Sequence, residues 1–163
     1  MSRTSRRAAA LGVALVLSVT PLLSACASGQ DAVTRMPYAP SDGVEGTVGS
    51  VQVLNALVVA GPAGTDGTIS MSVVNNAPDA DRIVDISTSE GTVSYAGPTE
   101  LGADQVLAFT SGAEPWATVR GLDVPAGDTI DLTLRFQNAG ELTLRTVIYP
   151  AEGPYATITP QAR

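Results

Sequence analysis

The one thiol in the chain, Cys26, closes the run Leu23-Ser24-Ala25-Cys26. Three arginines, Arg3, Arg6 and Arg7, stand upstream of it, followed by an apolar stretch from Leu11 to Leu23. That stretch is short for a bilayer, since a spanning helix needs about 20 apolar residues. It fits the apolar core of a cleavable export signal. Small Ser24 and Ala25 let a signal peptidase approach the backbone, and the thiol of Cys26 can then carry a diacylglyceryl group. Residues 1–25 are therefore expected to be a lipoprotein signal peptide, and Cys26 the lipidation site. The alternative is an ordinary secretory signal in which Cys26 is incidental. Ser5-Arg6-Arg7 resembles a twin-arginine signal, but Ala9 and Ala10 stand where bulkier apolar residues are usual, so Sec and Tat export both stay open. Acyl chains such as palmitate hold a protein at a membrane because each buried CH₂ contributes about 0.8 kcal/mol. The expected location is the extracytoplasmic face of the cell membrane.

What the sequence lacks narrows its chemistry further. It contains no histidine and no lysine. With Cys26 acylated, Ser/His/Asp, Cys/His and lysine-assisted serine arrangements are all excluded, and no thiol remains for a disulfide or a thiolate metal site. Asp79-Ala80-Asp81 could offer oxygens to a hard cation, but such a site takes six or more of them, and the favoured reading is a solvated turn that starts a strand. Asp128 and Asp131 read the same way. Paired carboxylates are not placed in an aromatic-lined cleft, and the chain has one tryptophan. No enzyme activity and no cofactor are expected. Trp116, in Gly112-Ala113-Glu114-Pro115-Trp116, reads either as a partner contact or, preferably, as a lid over one end of a small barrel.

Removing residues 1–25 takes away three arginines and no acid. The remaining 138 residues carry 6 basic against 16 acidic side chains, a net charge of about −10. Such a balance excludes nucleic acid, which needs a basic footprint, and leaves anchoring to the lipid alone.

The positioning elements follow from local pattern. Residues 26–47 are rich in Ala, Ser, Gly, Asp and Pro, with no hydrophobic period. They are expected to form a lipidated flexible tether spanning roughly 25 Å, with Met36-Pro37-Tyr38 as a weak docking candidate. From Val48 the pattern is β. Val51, Val53, Leu57 and Val59 form an apolar series that Asn55 interrupts, and both faces are largely apolar, as in a central strand. Ile69, Met71 and Val73 alternate with Ser70 and Ser72, before a turn at Asn75-Asn76-Ala77-Pro78-Asp79. Strands are expected at Arg82–Thr88 and Thr92–Ala96, with weaker ones at Val106–Phe109 and Ala117–Arg120. Ile130, Leu132, Leu134 and Phe136 alternate with polar residues and lead into Asn138-Ala139-Gly140, a three-residue hairpin loop with Gly at the left-handed position. Leu142 and Leu144 return along the same face, with a register shift expected near Thr146-Val147-Ile148. Residues 150–163 lose the pattern and are expected to be a disordered tail. The whole is all-β, an antiparallel Greek-key sandwich or barrel.

Several landmarks together resemble a known family. They are Ser72-Val73-Val74-Asn75-Asn76, Asp81-Arg82-Ile83-Val84, and Gly121-Leu122-Asp123-Val124-Pro125-Ala126-Gly127-Asp128, which runs into Leu132-Thr133-Leu134-Arg135-Phe136 and then Ala139-Gly140. Their order and spacing over residues 48–149 resemble the PCu(A)C-type periplasmic copper chaperones, and most closely the actinobacterial LpqE-type lipoproteins. The resemblance implies a cupredoxin-like fold and a Cu(I) site of histidines and methionines, with a His-x-Met pair just before the Gly-Leu segment. Counting back from Gly121-Leu122, Trp116 and Thr118 stand near that pair, and Tyr95 near another family histidine. None is a useful copper ligand. Only Met36 and Met71 remain after cleavage, and Met71, the weak metal candidate, reads as a core residue. The expectation is a membrane-anchored, non-enzymatic binding or accessory protein that has the family's β-domain without its metal chemistry. Its partner would be an unidentified envelope protein or component. The alternative is a copper chaperone with non-standard ligands.

Overall fold

Alternating branched and polar side chains suit a pleated, half-buried surface, and the molecule is strand almost throughout. The computed structural model describes residues 41–161. Its strands are β1 (Val44–Val48), β2 (Val51–Ala60), β3 (Thr65–Asn75), β4 (Asp81–Thr88), β5 (Thr92–Ala96), β6 (Glu100–Leu101), β7 (Val106–Phe109), β8 (Trp116–Leu122), β9 (Thr129–Phe136) and β10 (Glu141–Pro150). One 3₁₀ turn follows at Gly153–Tyr155. The expected signal peptide, Cys26 and the Met36-Pro37-Tyr38 segment lie outside the described residues.

The strands form one curled sheet in the order β5-β8-β3-β2-β10-β9-β4-β6, with β1 added to β2 and β7 to β3. The concave face holds the core. Val53, Val58, Ile69, Met71, Val73, Ile83, Phe109, Val119, Leu132, Leu134 and Ile148 are all buried there. Each such side chain taken fully from water stabilises the fold by about 1.5–3 kcal/mol. The β9–β10 hairpin forms as the alternation predicts. Leu134 faces Leu142 and Leu132 faces Leu144, Gly140 takes a φ of 104°, and the amide of Phe136 donates to the Gly140 carbonyl at 2.8 Å. Asn55 interrupts β2 with a φ of 51° at a bulge between Leu54 and Leu57, and its Oδ1 accepts the Gly43 amide at 3.0 Å.

Four features differ from the sequence reading. First, the sheet is mixed: the end of β10 runs parallel to β2, with Ile148 beside Val58. β10 is long enough to pair first with β9 and then with β2, and a parallel neighbour becomes available once the intervening strands supply the crossover. Second, no register shift occurs near Thr146. Thr146 faces Ile130 in regular register, and its buried hydroxyl donates to the Leu144 carbonyl at 3.2 Å, so a threonine occupies an apolar position without breaking the ladder. Third, the strand begins inside the expected tether, at Val44. Gly46 hid the alternation; a Cβ there would come within 2.6 Å of Leu144 Cδ2, so any larger residue would have to displace that leucine side chain. Fourth, the tail is ordered through Gln161, held by bonds that leave no trace in hydrophobic periodicity.

Candidate functional site

Two polar clusters stand out on this sheet. The first is built on the turn between β3 and β4. Asn75 is fully buried at the end of β3. Its Nδ2 donates to the carbonyls of Asp79 (2.8 Å), Leu101 (3.1 Å) and Gly102 (3.1 Å). Its Oδ1 accepts the Ala77 amide at 3.0 Å. Asp81, at the start of β4, accepts the amides of Arg82 at 2.7 Å and Asn138 at 2.9 Å on Oδ1, and that of Ala139 at 2.9 Å on Oδ2. Partial burial pushes its carboxyl up. The surrounding backbone amides, Arg82, Asn138, Ala139 and Gln137, outweigh that and hold it below the ordinary 3.8. Donors aimed at a carboxylate favour its charged form. Asp81 therefore ties the β3–β4 turn to the β9–β10 loop. A cleft of about 570 Å³ lies beside this cluster, lined by Ser50, Asn75, Asp79, Asp81 and Asn138 among others. Asp79 is exposed, and both Asp81 oxygens are engaged by backbone. Asp128 and Asp131 likewise take part through their main chains, the former accepting Ile148 N at 2.9 Å and the latter accepting Ser89 N at 2.9 Å.

The second cluster lies around β8, where the sequence placed Tyr95, Trp116 and Thr118. Trp116 is the first residue of β8 rather than a loop residue, and it is 8% exposed. The register sets Trp116 opposite Ala96, Tyr95 opposite Ala117, and Thr118 opposite Ser94. Successive residues on a strand face opposite ways. Trp116 and Thr118 thus share the outward face, while Tyr95 lies on the other face with Ala117. The three positions are not brought to one point. Met71 lies in the core opposite Phe109, at 2% exposure. Among the described residues, no group of three His, Cys, Asp or Glu side chains could hold a metal ion.

The outward face around Thr118 is covered, and the sequence did not foresee by what. Thr68 faces Thr118 across β3–β8 and Val59 across β2–β3, so these side chains share one face, and all are buried. The C-terminal tail lies against it. Ser111 Oγ donates to the Thr159 carbonyl at 3.1 Å and accepts the Thr159 amide at 3.2 Å. Thr118 Oγ1 accepts the Gln161 amide at 3.2 Å and lies 3.5 Å from the Gln161 carbonyl. Further back, Tyr155 donates its hydroxyl to Asp42 Oδ2, and Tyr149 donates to the Asp42 carbonyl at 2.8 Å. The two rings lie 5.2 Å apart between centroids. The hydrogen bond to Asp42 pushes the Tyr155 phenol up to about 12, with burial and the charge of Asp42 adding to it. The available sequence signal was the lone Tyr155 and Ile158 in a polar tail, which is too sparse to read as packing.

Comparison with solved structures places this architecture. The chain is similar to a copper-bound PCuAC domain from PmoF2, at 22% identity and a TM-score of 0.59, over 66% of this chain and 98% of that one. It is similar to the apo form of the PmoF2 domain at 19% identity and a TM-score of 0.58, over 68% and 98%. It is also similar to the apo PCuAC domain from PmoF1 at 19% identity and a TM-score of 0.59, over 66% and 99%. No family model matches the chain, and no curated protein sequence matches it. The fold is thus of the PCuAC type, an all-β cupredoxin-like half-barrel.

Proposed function

We propose that this chain is a lipid-anchored envelope protein whose PCuAC-like domain works by binding a partner rather than by carrying copper. The observation that carries this reading is the chemistry near the family's ligand pair. There the chain has Trp116 and Thr118, both buried, with Thr118 bonded to the tail. Neither an indole nor a hydroxyl holds Cu(I) usefully, whereas imidazole and thioether do. The chain contains no histidine, and Met71, the thioether within the sheet, is 2% exposed in the core. Catalysis is not part of the proposal. Cys26 would supply attachment, placing an acidic β-domain on the outer side of the membrane.

A Cu(I) competition titration on the full chain tests this. Binding no tighter than micromolar is the expected result. Sub-nanomolar binding would establish the alternative, a copper chaperone with non-standard ligands. Mass spectrometry of the membrane-extracted protein tests attachment, and a mature chain with a free Cys26 thiol would overturn it.

A further inference from the structure

Ser111 and Thr118 each bond both the amide and the carbonyl side of one tail residue. Those residues, Thr159 and Gln161, are alternate positions of one segment. Reading backbone N–H and C=O at every second residue is how a protein surface grips an extended peptide of undefined sequence. Pro160 sits between the two anchors, where no amide is required, so an extended proline-containing backbone fits without loss. The anchors do not read the tail's side chains. Thr159 and Pro160 are themselves exposed, and no ladder bond joins this segment to a strand. Beside Thr118 on the same face, Thr68 is 1% exposed, and among the described residues its Oγ1 has no hydrogen-bond partner. A buried hydroxyl left without a partner is destabilising, because its desolvation is not offset by a bond. The tail is therefore an incomplete ligand for the surface that it covers.

We propose that the outward face of β3–β8 around Thr118 docks an extended segment of a partner protein, and that the C-terminal strap is its displaceable occupant. The fitting segment offers backbone N–H and C=O at two alternate residues, tolerates proline between them, and carries a polar side chain that reaches Thr68. This rests on the reading of the chain as a binding protein and adds the surface and the kind of partner.

The test uses the full chain in detergent. The probe is a labelled peptide of its own residues 156–163, Ala-Thr-Ile-Thr-Pro-Gln-Ala-Arg. Thr159→Pro with Gln161→Pro removes both strap amides and should free the face. Because a tethered segment competes at high effective concentration, the peptide should bind this variant about tenfold or more tighter than the wild type. Adding Thr118→Val, or the milder Ser111→Ala, should abolish the gain while thermal unfolding shows a folded domain. Equal binding to wild type and variant would overturn the proposal, as would a gain that survives both added substitutions. A concentration-dependent dimer of the wild type that the two prolines abolish would also overturn it, by making the occupant a second copy's tail. A copper titration of the same variant judges the non-copper reading separately, because tight Cu(I) binding there leaves the peptide result untouched.

Discussion

The cluster at the β3–β4 turn and the cluster around Thr118 are made of similar groups but completed differently. At the turn, Asn75 and Asp81 spend their polar atoms on backbone groups of three separate segments, and buried polar atoms there have partners. Around Thr118, the strap is held by two hydroxyls, and Thr68 is left over. Buried polar networks are rigid when complete and costly when not. The first cluster therefore belongs to the permanent fold, and the second marks a surface that can exchange its occupant.

Substitutions should separate the two clusters by size and even by sign. The largest effect is expected for Asn75→Ala, which strands the carbonyls of Asp79, Leu101 and Gly102, that of Leu101 in the buried interior. It should destabilise the domain by on the order of 3 kcal/mol, read as a large drop in the thermal midpoint. Next comes Asp81→Asn, expected to cost about 2 kcal/mol and to change the acid limb of stability. Asp81 has a lowered folded pKa. Its contribution is full above the ordinary 3.8 and is lost as pH falls through the lower folded value. The variant should lack that part of the acid dependence in urea titrations at successive pH. Thr68→Val should go the other way, raising stability by up to about 1 kcal/mol, because a methyl group replaces an unsatisfied hydroxyl of the same shape. A marked loss would mean that Thr68 has a partner and that the face is complete.

The smallest effect is expected for Tyr155→Phe, well under about 1 kcal/mol at neutral pH, as befits a half-exposed contact. Its signature is in alkali. The Tyr155 pKa is raised to about 12, so its contribution is complete below the ordinary 10 and is lost as pH rises through 12. Ultraviolet titration should show a phenol ionisation near 12 in the wild type that the variant loses.

How much of this was legible in the sequence follows the same division. Period-two alternation is a direct consequence of strand geometry, so the β9–β10 hairpin, the strands β2 and β3 and the interruption at Asn55 could all be read. β1 was hidden because Gly46, packed close under Leu144, stands where an apolar residue would have marked the face. The strap was hidden for a different reason. Hydroxyl-to-backbone bonds such as Ser111 to Thr159 place no constraint on the tail's side chains, so no pattern records them. Asp81 was visible as a charged residue at a strand start, but its three amide donors come from the chain around Arg82 and the distant Asn138-Ala139 loop, and only the folded topology brings them together. Trp116 and Thr118 were placed on one short segment, while the alternation that sends Tyr95 to the opposite face depends on the β5–β8 register.

Amide hydrogen exchange on the wild-type chain tests the contrast most directly, because exchange reports local opening separately from global unfolding. The amides of Thr159 and Gln161 should exchange on the order of 100-fold faster than those of Asn138 and Ala139, which Asp81 holds. Equal protection at the two sets would contradict the account, since the strap would then open only when the whole domain unfolds.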